Sequence, residues 1–519
     1  MSDATVYLIG AGPGDPGLVS VRGLRYLATA DVVLYDHHVN PQLLRHARAD
    51  AELIDVGPAA PQPLEQQAIG YLLVEKAREG KTVARLKWGD PFVFDRGVEE
   101  ALFLKEHGIR FTVVPGVPAA VGVPAYAGIS ITYPGGADTV TFVRGYEDER
   151  GRPPDVDWKI LAELGGTVVC YTGGRQLPAL LDALLANGWD ATESAALIYR
   201  GTLSGQDTTA ATVGELAALA RRRGRSEPAI LVIGRVVQLR DHLRWFDSRP
   251  LFGRRIVVTR PREQAIDLAD RLESLGAAVV EAPLVRIAPP EDASPLDEVV
   301  SRVGTFDWIV FTSANGVDHF LRRVDAGPGD LRDLKGVRLA ALGTGTADRL
   351  TRRGLKVDLR APEYTVDAAL GPMRTGGRAD GLRVLMPRAD IGRDPLADEL
   401  RRSGAEVTEV AAYRVVRIDA EAPDNPDIYR MLLEKQVDVV TFTSASTVRA
   451  LVDLYGAEPM ADLLAQVTVA SIGPVTAEAA ERYGIRSAIV PAERTIGGLV
   501  DAIVHHYGAA TGGSAAHRT

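Results

Sequence analysis

The sequence predicts an α/β protein whose first half is one α/β domain and whose second half is a duplicated α/β unit, with two similar lobes facing each other. Two observations carry this. Apolar runs of strand length alternate with helical patterns along the whole chain, and the second half repeats itself at long range. Phe311-Thr312-Ser313-Ala314 returns as Phe442-Thr443-Ser444-Ala445, each preceded by an aspartate and an apolar run. Val257-Val258-Thr259-Arg260 is echoed by Val384-Leu385-Met386-Pro387-Arg388, and Gly276-Ala277 by Gly404-Ala405. Leu342-Gly343-Thr344-Gly345-Thr346-Ala347 is echoed by Ile472-Gly473-Pro474-Val475-Thr476-Ala477. Landmarks that recur in one order at near-constant, long separation mark a duplicated subdomain rather than a solenoid repeat. The cleft between the lobes is the default ligand site.

The first strand, Val6-Tyr7-Leu8-Ile9, runs into the turn Gly10-Ala11-Gly12-Pro13-Gly14-Asp15-Pro16, and Asp31-Val32-Val33-Leu34-Tyr35 follows one helix later. The turn invites a dinucleotide reading but fits it poorly. Gly10 and Gly12 match the first two glycines of the fingerprint, whereas the third place is Asp15, and Pro13 and Pro16 fall where the helix should open. A last strand near Ala229–Gly234 closes this half, and the basic, punctuated segment 249–255 reads as a linker. The expected domains are therefore residues 1–248 and 249–507, with a small-residue tail, 508–519, expected to be disordered.

Composition excludes several classes. The chain of 519 residues is 46% hydrophobic and 24% charged, and its formal charge of -9 gives no support to nucleic-acid or membrane binding. One cysteine, Cys170, cannot form an intramolecular disulfide and reads as a buried apolar residue in a reducing compartment. Met1-Ser2-Asp3 leads straight into a strand, and no run is long enough to span a bilayer, so the expected location is the cytoplasm. Arg221-Arg222-Arg223 reads as a solvated helix face. His37-His38 in a turn is no metal site, and no metal is expected.

Three further loop signatures join the first turn. They are 85–100, from Arg85-Leu86-Lys87-Trp88-Gly89-Asp90-Pro91-Phe92-Val93 through Arg96 to Glu99-Glu100; 113–120, Val113-Val114-Pro115-Gly116-Val117-Pro118-Ala119-Ala120; and 124–129. With these, residues 5–246 resemble the uroporphyrinogen-III C-methyltransferases of the tetrapyrrole methylase family. The resemblance implies a two-lobed α/β domain, usually a homodimer, that binds S-adenosylmethionine between its lobes and methylates two pyrrole carbons of uroporphyrinogen III to give precorrin-2. By the family pattern Pro13, Trp88, Gly89, Asp90, Val93, Pro118, Ala119, Thr172 and Gly201 surround the cofactor. Arg96 and Glu99 match positions for substrate binding and proton handling, and Asp36 matches an acidic residue after the second strand. An Arg and a Glu at i, i+3 also pair on helix surfaces, and an Asp after a strand also caps turns.

The chain departs from that pattern. The usual Gly-Gly-Asp is Trp88-Gly89-Asp90, Thr-Ser is Pro118-Ala119, Leu-Thr-His-Arg is Ile131-Thr132-Tyr133-Pro134, Thr-Gly-His is Arg144-Gly145-Tyr146, and Tyr-Met-Gly is Tyr171-Thr172-Gly173. The arginine missing at Pro134 removes one anchor for a substrate carboxylate, a contact of about 1.5–3 kcal/mol. An alternative therefore stands beside the bifunctional reading: only the second half is active, and the first is a dimerisation or binding module.

Residues 255 to about 506 resemble uroporphyrinogen-III synthase, on Val258-Thr259-Arg260-Pro261 with Gln264-Ala265, the two Phe-Thr-Ser-Ala segments, Pro387-Arg388 with Gly392-Arg393-Asp394, and the Thr476-Ala477 turn. The resemblance implies two lobes that exchange their first βα units, with the chain crossing near Pro283-Leu284-Val285 and near Ala412-Tyr413-Arg414. It also implies cyclisation of hydroxymethylbilane with inversion of the last pyrrole ring, without a cofactor. The substrate loses its hydroxyl readily, so the enzyme needs positioning more than a strong acid. Tyr413 matches the tyrosine that helps the hydroxyl depart, and Thr346 and Thr476 match threonines of the two Thr-Ala turns. Arg260, Arg262, Arg388 and Arg393 are candidate carboxylate anchors because a guanidinium offers a bidentate fork. Ser313 and Ser444 are candidates through their hydroxyls and neighbouring N–H groups, although each Ser or Thr also suits a capping role.

Overall fold

The computed structural model describes residues 5–57, 64–147, 152–225, 227–361, 379–390, 395–418 and 425–511. The chain divides into two compact α/β units, Met1–Gly253 with Leu275–Ala278, and Arg254–Ser274 with Val279–Thr519.

The first unit holds two sheets. Strands β1 (Thr5–Gly10), β2 (Val32–Tyr35), β3 (Glu52–Asp55), β4 (Val83–Lys87) and β5 (Arg110–Val114) pair in the order β3-β2-β4-β1-β5, all parallel. The loops after β1, β4 and β5 thus leave neighbouring strand ends on one side, where open α/β sheets bind ligands. Glycine makes their convergence possible. Gly12 N–H donates to Gly89 O (3.2 Å) and Gly89 N–H to Gly12 O (2.8 Å), both residues at positive φ. A Cβ on Gly10 would stand 2.5 Å from Gly116 N, and one on Gly116 would stand 2.2 Å from Gly89 O.

The second sheet joins β6 (Val140–Arg144), β7 (Thr167–Thr172), β8 (Ser194–Tyr199), β9 (Asp207–Thr212) and β10 (Ala229–Ile233) in the order β6-β7-β10-β8-β9. Its two-residue side-chain period splits the strands cleanly. Val168, Cys170, Leu197 and Leu231 pack with the helices Leu177–Ala186 and Val213–Arg223, while Val169, Tyr171, Ile198 and Ile230 pack against the helix Ala119–Tyr126. Cys170 is buried as expected, and burial pushes its thiol pKa up to about 12.

The second unit also has two sheets. β11 (Arg255–Val258), β12 (Ala278–Glu281), β19 (Val439–Phe442) and β20 (Thr468–Ser471) form one, in the order β12-β11-β19-β20. β13 (Val285–Ala288), β14 (Trp308–Phe311), β15 (Arg338–Leu342), β16 (Leu359–Ala361), β17 (Arg383–Ala389) and β18 (Glu406–Arg417) form the other, in the order β13-β18-β17-β14-β15-β16. The pairing is crossed. β11 lies parallel to β19, Ile256 opposite Val439, and β14 lies parallel to β17, Trp308 opposite Val384. The aspartates ahead of the repeated strands explain themselves here. Asp438 accepts from Arg255 N–H and Asp307 from Arg383 N–H, each through its carboxylate at 2.8 Å, so each pins the start of a strand brought from far along the chain. The chain leaves the four-stranded sheet after β12 and enters the six-stranded one at β13, at the Pro283-Leu284-Val285 crossing.

The last helix runs Ile496–Thr511, so the tail expected to be disordered from residue 508 is helical through 511, and 512–519 lie outside the described residues. Among the described residues no helix is long and apolar enough to cross a membrane, and no group of three or more His, Cys, Asp or Glu could hold a metal ion.

Candidate active sites

A cavity of about 1240 Å³ opens in the first unit. Of the residues singled out above, Pro13, Asp36, Trp88, Gly89, Asp90, Val93, Arg96, Ala119, Thr172 and Gly201 line it. Pro118 occupies the N-cap of the helix that starts at Ala119, and neither it nor Glu99 is in the lining. The walls are braced by the loops themselves. Trp88 Nε1 donates to Pro13 O at 2.9 Å, and Asp90 accepts from Phe92 N (2.8 Å) and Gly116 N (3.0 Å). The Tyr171 hydroxyl accepts from Ala120 N at 3.0 Å, and burial pushes its pKa up to about 12. Phe94 and Arg200, both in the lining, hold φ of +52° and +47°, a strained setting of the kind that clusters at ligand sites.

Glu99 faces Arg96 rather than the cavity. The two make a bidentate pair, Nε to Oε1 at 3.0 Å and Nη2 to Oε2 at 2.6 Å, and the bonds from Arg96 hold the Glu99 pKa down. Asp36 receives Arg85 Nη2 at 2.5 Å. Behind it lies a buried charge cluster that the sequence reading passed over. Glu100 Oε1 accepts from Arg85 Nε (3.2 Å), Lys87 Nζ (3.0 Å) and Gln66 Nε2 (3.1 Å), and Lys87 Nζ also meets Asp95 at 3.1 Å. Arg85, Lys87 and Glu100 are each 1% exposed. Burial opposes the Arg85 charge, but Glu100 and Asp36 outweigh it and raise the pKa, whereas burial raises Asp95 against the pull of Lys87. His37 and His38 also line the cavity, with ring centroids 3.7 Å apart. Burial and then His37 lower the His38 pKa, against Asp36, which raises it.

In the second unit Tyr413, on β18, is 7% exposed, and its hydroxyl lies 2.9 Å from Ser313 Oγ. Ser313 caps the helix Ala314–Ala326 by accepting from Gly316 N at 3.0 Å. Arg260 Nη2 donates to Gln264 Oε1 (3.3 Å), and Gln264 Nε2 to Asn315 Oδ1 (2.6 Å). This joins the helix Arg262–Ser274, which follows β11, to the helix that follows β14. Among the described residues Arg260 Nε is buried without a hydrogen-bond partner, and burial lowers the Arg260 pKa. Burial raises the Tyr413 pKa against Ser313, Asn315 and Arg388, which lower it. Arg388 is ion-paired with Glu409.

The remaining candidates take other places. Ser444 caps the helix Ala445–Tyr455 and bonds Ser446 Oγ at 2.8 Å. Thr346 and Thr476 are each 5% exposed in the first turns of their helices. Arg262 lines a separate cavity of about 400 Å³ with Arg286 and Arg417. Arg393 lies outside the described residues. Gln264 and Asn315 went unassigned in the sequence, although Gln264 sits in a quoted segment and Asn315 directly follows the first Phe-Thr-Ser-Ala repeat.

Two family models match the chain: Tetrapyrrole (Corrin/Porphyrin) Methylases over residues 5–217 and Uroporphyrinogen-III synthase HemD over 266–501. A porphyrin biosynthesis protein HemD of Ruminiclostridium josui is 35% identical over 508 residues, 97% of this chain and 98% of that protein. A uroporphyrinogen-III C-methyltransferase of Bacillus subtilis is 36% identical over 364 residues, 70% of this chain and 74% of that protein. A siroheme synthase of Pseudomonas paraeruginosa is 46% identical over 249 residues, 48% of this chain and 53% of that protein. With one relative matched from end to end and one model on each half, the chain belongs to the family that fuses a tetrapyrrole methylase to a uroporphyrinogen-III synthase.

Proposed function

We propose that the chain is a bifunctional enzyme of tetrapyrrole biosynthesis. Its second unit cyclises hydroxymethylbilane to uroporphyrinogen III with inversion of ring D, and its first unit methylates that product with S-adenosylmethionine to precorrin-2, toward sirohaem or cobalamin. The observation that carries this is the end-to-end match to a porphyrin biosynthesis protein. Incubating the pure protein with hydroxymethylbilane tests it: uroporphyrinogen III accumulates without S-adenosylmethionine and precorrin-2 with it. A product of type I isomer alone would overturn the synthase reading.

The first cavity fits the cofactor. Its volume, about 1240 Å³, exceeds the usual several hundred Å³ of a small-molecule site, and Gly89 presents bare backbone in its lining at the end of β4. The loops carrying Pro13, Trp88, Gly89, Asp90, Val93, Pro118, Ala119, Thr172 and Gly201 are the residues we assign to hold it. S-adenosylmethionine supplies an electrophilic methyl carbon. Arg96 is assigned to a substrate carboxylate, with Glu99 holding the guanidinium in place, and Asp36, fixed by Arg85, to the pyrrole proton. We expect calorimetric titration to give saturable binding of S-adenosylmethionine. A folded protein that gives no heat at high cofactor concentration would leave the first unit as a binding or dimerisation module.

In the second unit the domain boundaries 1–248 and 249–507 are supported by the division at Gly253 and Arg254. A duplicated pair of lobes with exchanged first strands is supported by the crossed pairing and the matched roles of Asp307 and Asp438. Tyr413 hydrogen-bonds the departing hydroxyl, Arg260, Arg262, Arg388 and Arg393 receive carboxylates, and Ser313, Ser444, Thr346 and Thr476 supply hydroxyls. No cofactor is assigned to this half.

Homodimerisation through the first unit is supported by Phe92, Val98 and Leu102, exposed by 52%, 50% and 56%, the last two at i, i+4 on one helix. Residues 250–519 expressed alone should therefore sediment as a monomer and still form the type III isomer, while the whole chain sediments as a dimer. A folded fragment that yields only the type I isomer would contradict the assignment. A single cysteine, buried and without a second to pair with, is compatible with a cytoplasmic location, which cell fractionation checks.

A further inference from the structure

We propose that Arg200 is a carboxylate-binding residue of the first unit's cavity. The inference rests on the reading of that unit as a methyltransferase and adds to it an arginine, carried by the second sheet, that meets the charge of a bound ligand.

Residues 200–206 join β8 to β9, and the loop is held from several sides. Leu203 N–H donates to Arg200 O (3.2 Å), and Gln206 N–H to Leu203 O (2.8 Å). The Gln206 side chain accepts from Thr202 N–H at 2.9 Å and donates to Tyr126 O at 3.3 Å, while Thr202 Oγ1 accepts from Asp15 N–H at 3.0 Å. A Cβ on Gly201 would stand 2.4 Å from Val123 Cγ1. The loop is thus fastened to the first turn and to the helix Ala119–Tyr126, with Arg200 and Thr202 held at φ of +47° and +68°.

Thr202 has its use inside the protein, where it is buried with its hydroxyl and N–H both bonded. Arg200 has no such use. Its side chain is exposed in the cavity lining, and among the described residues its guanidinium makes no hydrogen bond or ion pair. Glycine and asparagine enter the left-handed region more readily than arginine, so either would serve the fold at least as well. What the arginine adds is a charge, and the use of that charge lies in what enters the cavity.

The other arginines and the lysine of the lining are already engaged. Arg85 pairs with Asp36 and Glu100, Lys87 with Asp95 and Glu100, and Arg96 with Glu99. Among the described residues, Arg200 alone of these four meets no carboxylate of the chain. Its Cζ lies over Gly205, where a Cβ would stand 3.4 Å away, so the planar group rests against bare backbone. A guanidinium set in this way offers a carboxylate two parallel N–H donors. Both ligands of the methyl transfer carry that group, S-adenosylmethionine at its amino-acid end and uroporphyrinogen III on its side chains, and measurement separates the two sources.

Arg200→Asn in the whole chain tests this. Asparagine removes the charge and tolerates the backbone angle, so the melting temperature should not fall. Loss of a charge-assisted pair at an exposed position should weaken binding about tenfold. If the cofactor's carboxylate is the partner, calorimetry finds that loss for S-adenosylmethionine and not for its decarboxylated analogue. If the substrate's is, cofactor affinity stays and KM for uroporphyrinogen III in the methylation rises about tenfold, with kcat little changed. Arg200→Lys keeps a point charge and should recover part of either loss. Unchanged cofactor affinity together with unchanged KM overturns the proposal. Equal weakening of S-adenosylmethionine and its analogue, with KM unchanged, also overturns it, since the guanidinium would then meet the nucleoside. A clear drop in the melting temperature of Arg200→Asn would make Arg200 a structural residue. A wild-type protein that neither binds S-adenosylmethionine nor methylates removes the methyltransferase reading together with the proposal, whereas an active wild type beside an unaltered Arg200→Asn removes the proposal alone.

Discussion

Tyr413→Phe lowers the rate of type III product formation on the order of a hundredfold, at the low end of what a donor to developing negative charge is worth. The substitution takes away one oxygen and nothing else. The ring stays in the apolar cluster that includes Ile309, Phe311, Phe320 and Leu385, so the melting temperature should change little. Burial holds the phenol pKa above its ordinary value of 10.0, so the hydroxyl is a protonated donor throughout the physiological range. Its charge-stabilising effect is needed only as the C–O bond breaks and the electron pair remains on the departing oxygen. Because that bond breaks readily even without help, the loss should not reach the upper end of the range. Thr346→Val removes a buried hydroxyl at similar volume and should cost less. Initial rate and isomer ratio at saturating substrate are the measurements. Full rate with full type III selectivity would make Tyr413 a packing residue.

Arg85→Met should have the largest effect on stability, about 3–5 kcal/mol, the usual result of removing one partner from a buried ionic cluster. Met fills much of the space that the arginine stem occupies but leaves Glu100 with one cation fewer. Glu100 can spare none, since its Oε2 already lacks a hydrogen-bond partner among the described residues. Asp36 loses its 2.5 Å contact at the cavity wall, so methylation should fall with stability. Denaturant unfolding of the whole chain resolves this in the transition of the first unit, and an unchanged midpoint would mean that water screens the cluster.

The class of fold and the convergence of the first unit's motifs on one cavity were readable for a common reason: the motifs are loops at strand ends. Gly12, Gly89 and Gly116 lie on loops that follow β1, β4 and β5, and parallel pairing brings those ends together without further information. Charge placement was less readable. Arg85 and Lys87 stand two apart in Val83-Ala84-Arg85-Leu86-Lys87, and two cations on one face of an otherwise apolar strand were a usable sign of buried counter-charges. Glu99 shows the opposite case, where the family position suggested a role in the cavity and its spacing from Arg96 produced the surface pair instead. The pairing of Arg388 with Glu409 depends on the register of β17 and β18, Met386 opposite Glu409, and no local pattern encodes it. Gln264 and Asn315 belong together only because two crossed strands bring their helices side by side.

The crossed strands also govern when the second unit can form. Arg255 and Asp438 meet across 183 positions of chain, so β11 leaves the ribosome long before β19 exists. At ordinary elongation rates that interval is roughly ten to forty seconds. Throughout it the Ile256-Val257-Val258 strand has β12 alone for a neighbour, and a two-stranded ribbon is barely stable in water. The sheets of the first unit, by contrast, draw every strand from residues that precede Gly234 and can close in the order of synthesis. Nascent chains should therefore carry a finished first unit ahead of an unfinished second one whose apolar edge is open to mispairing. Success in making this protein then depends on how β11 is shielded during the wait, and a chain truncated between β18 and β19 carries every strand of the six-stranded sheet but leaves the four-stranded one incomplete.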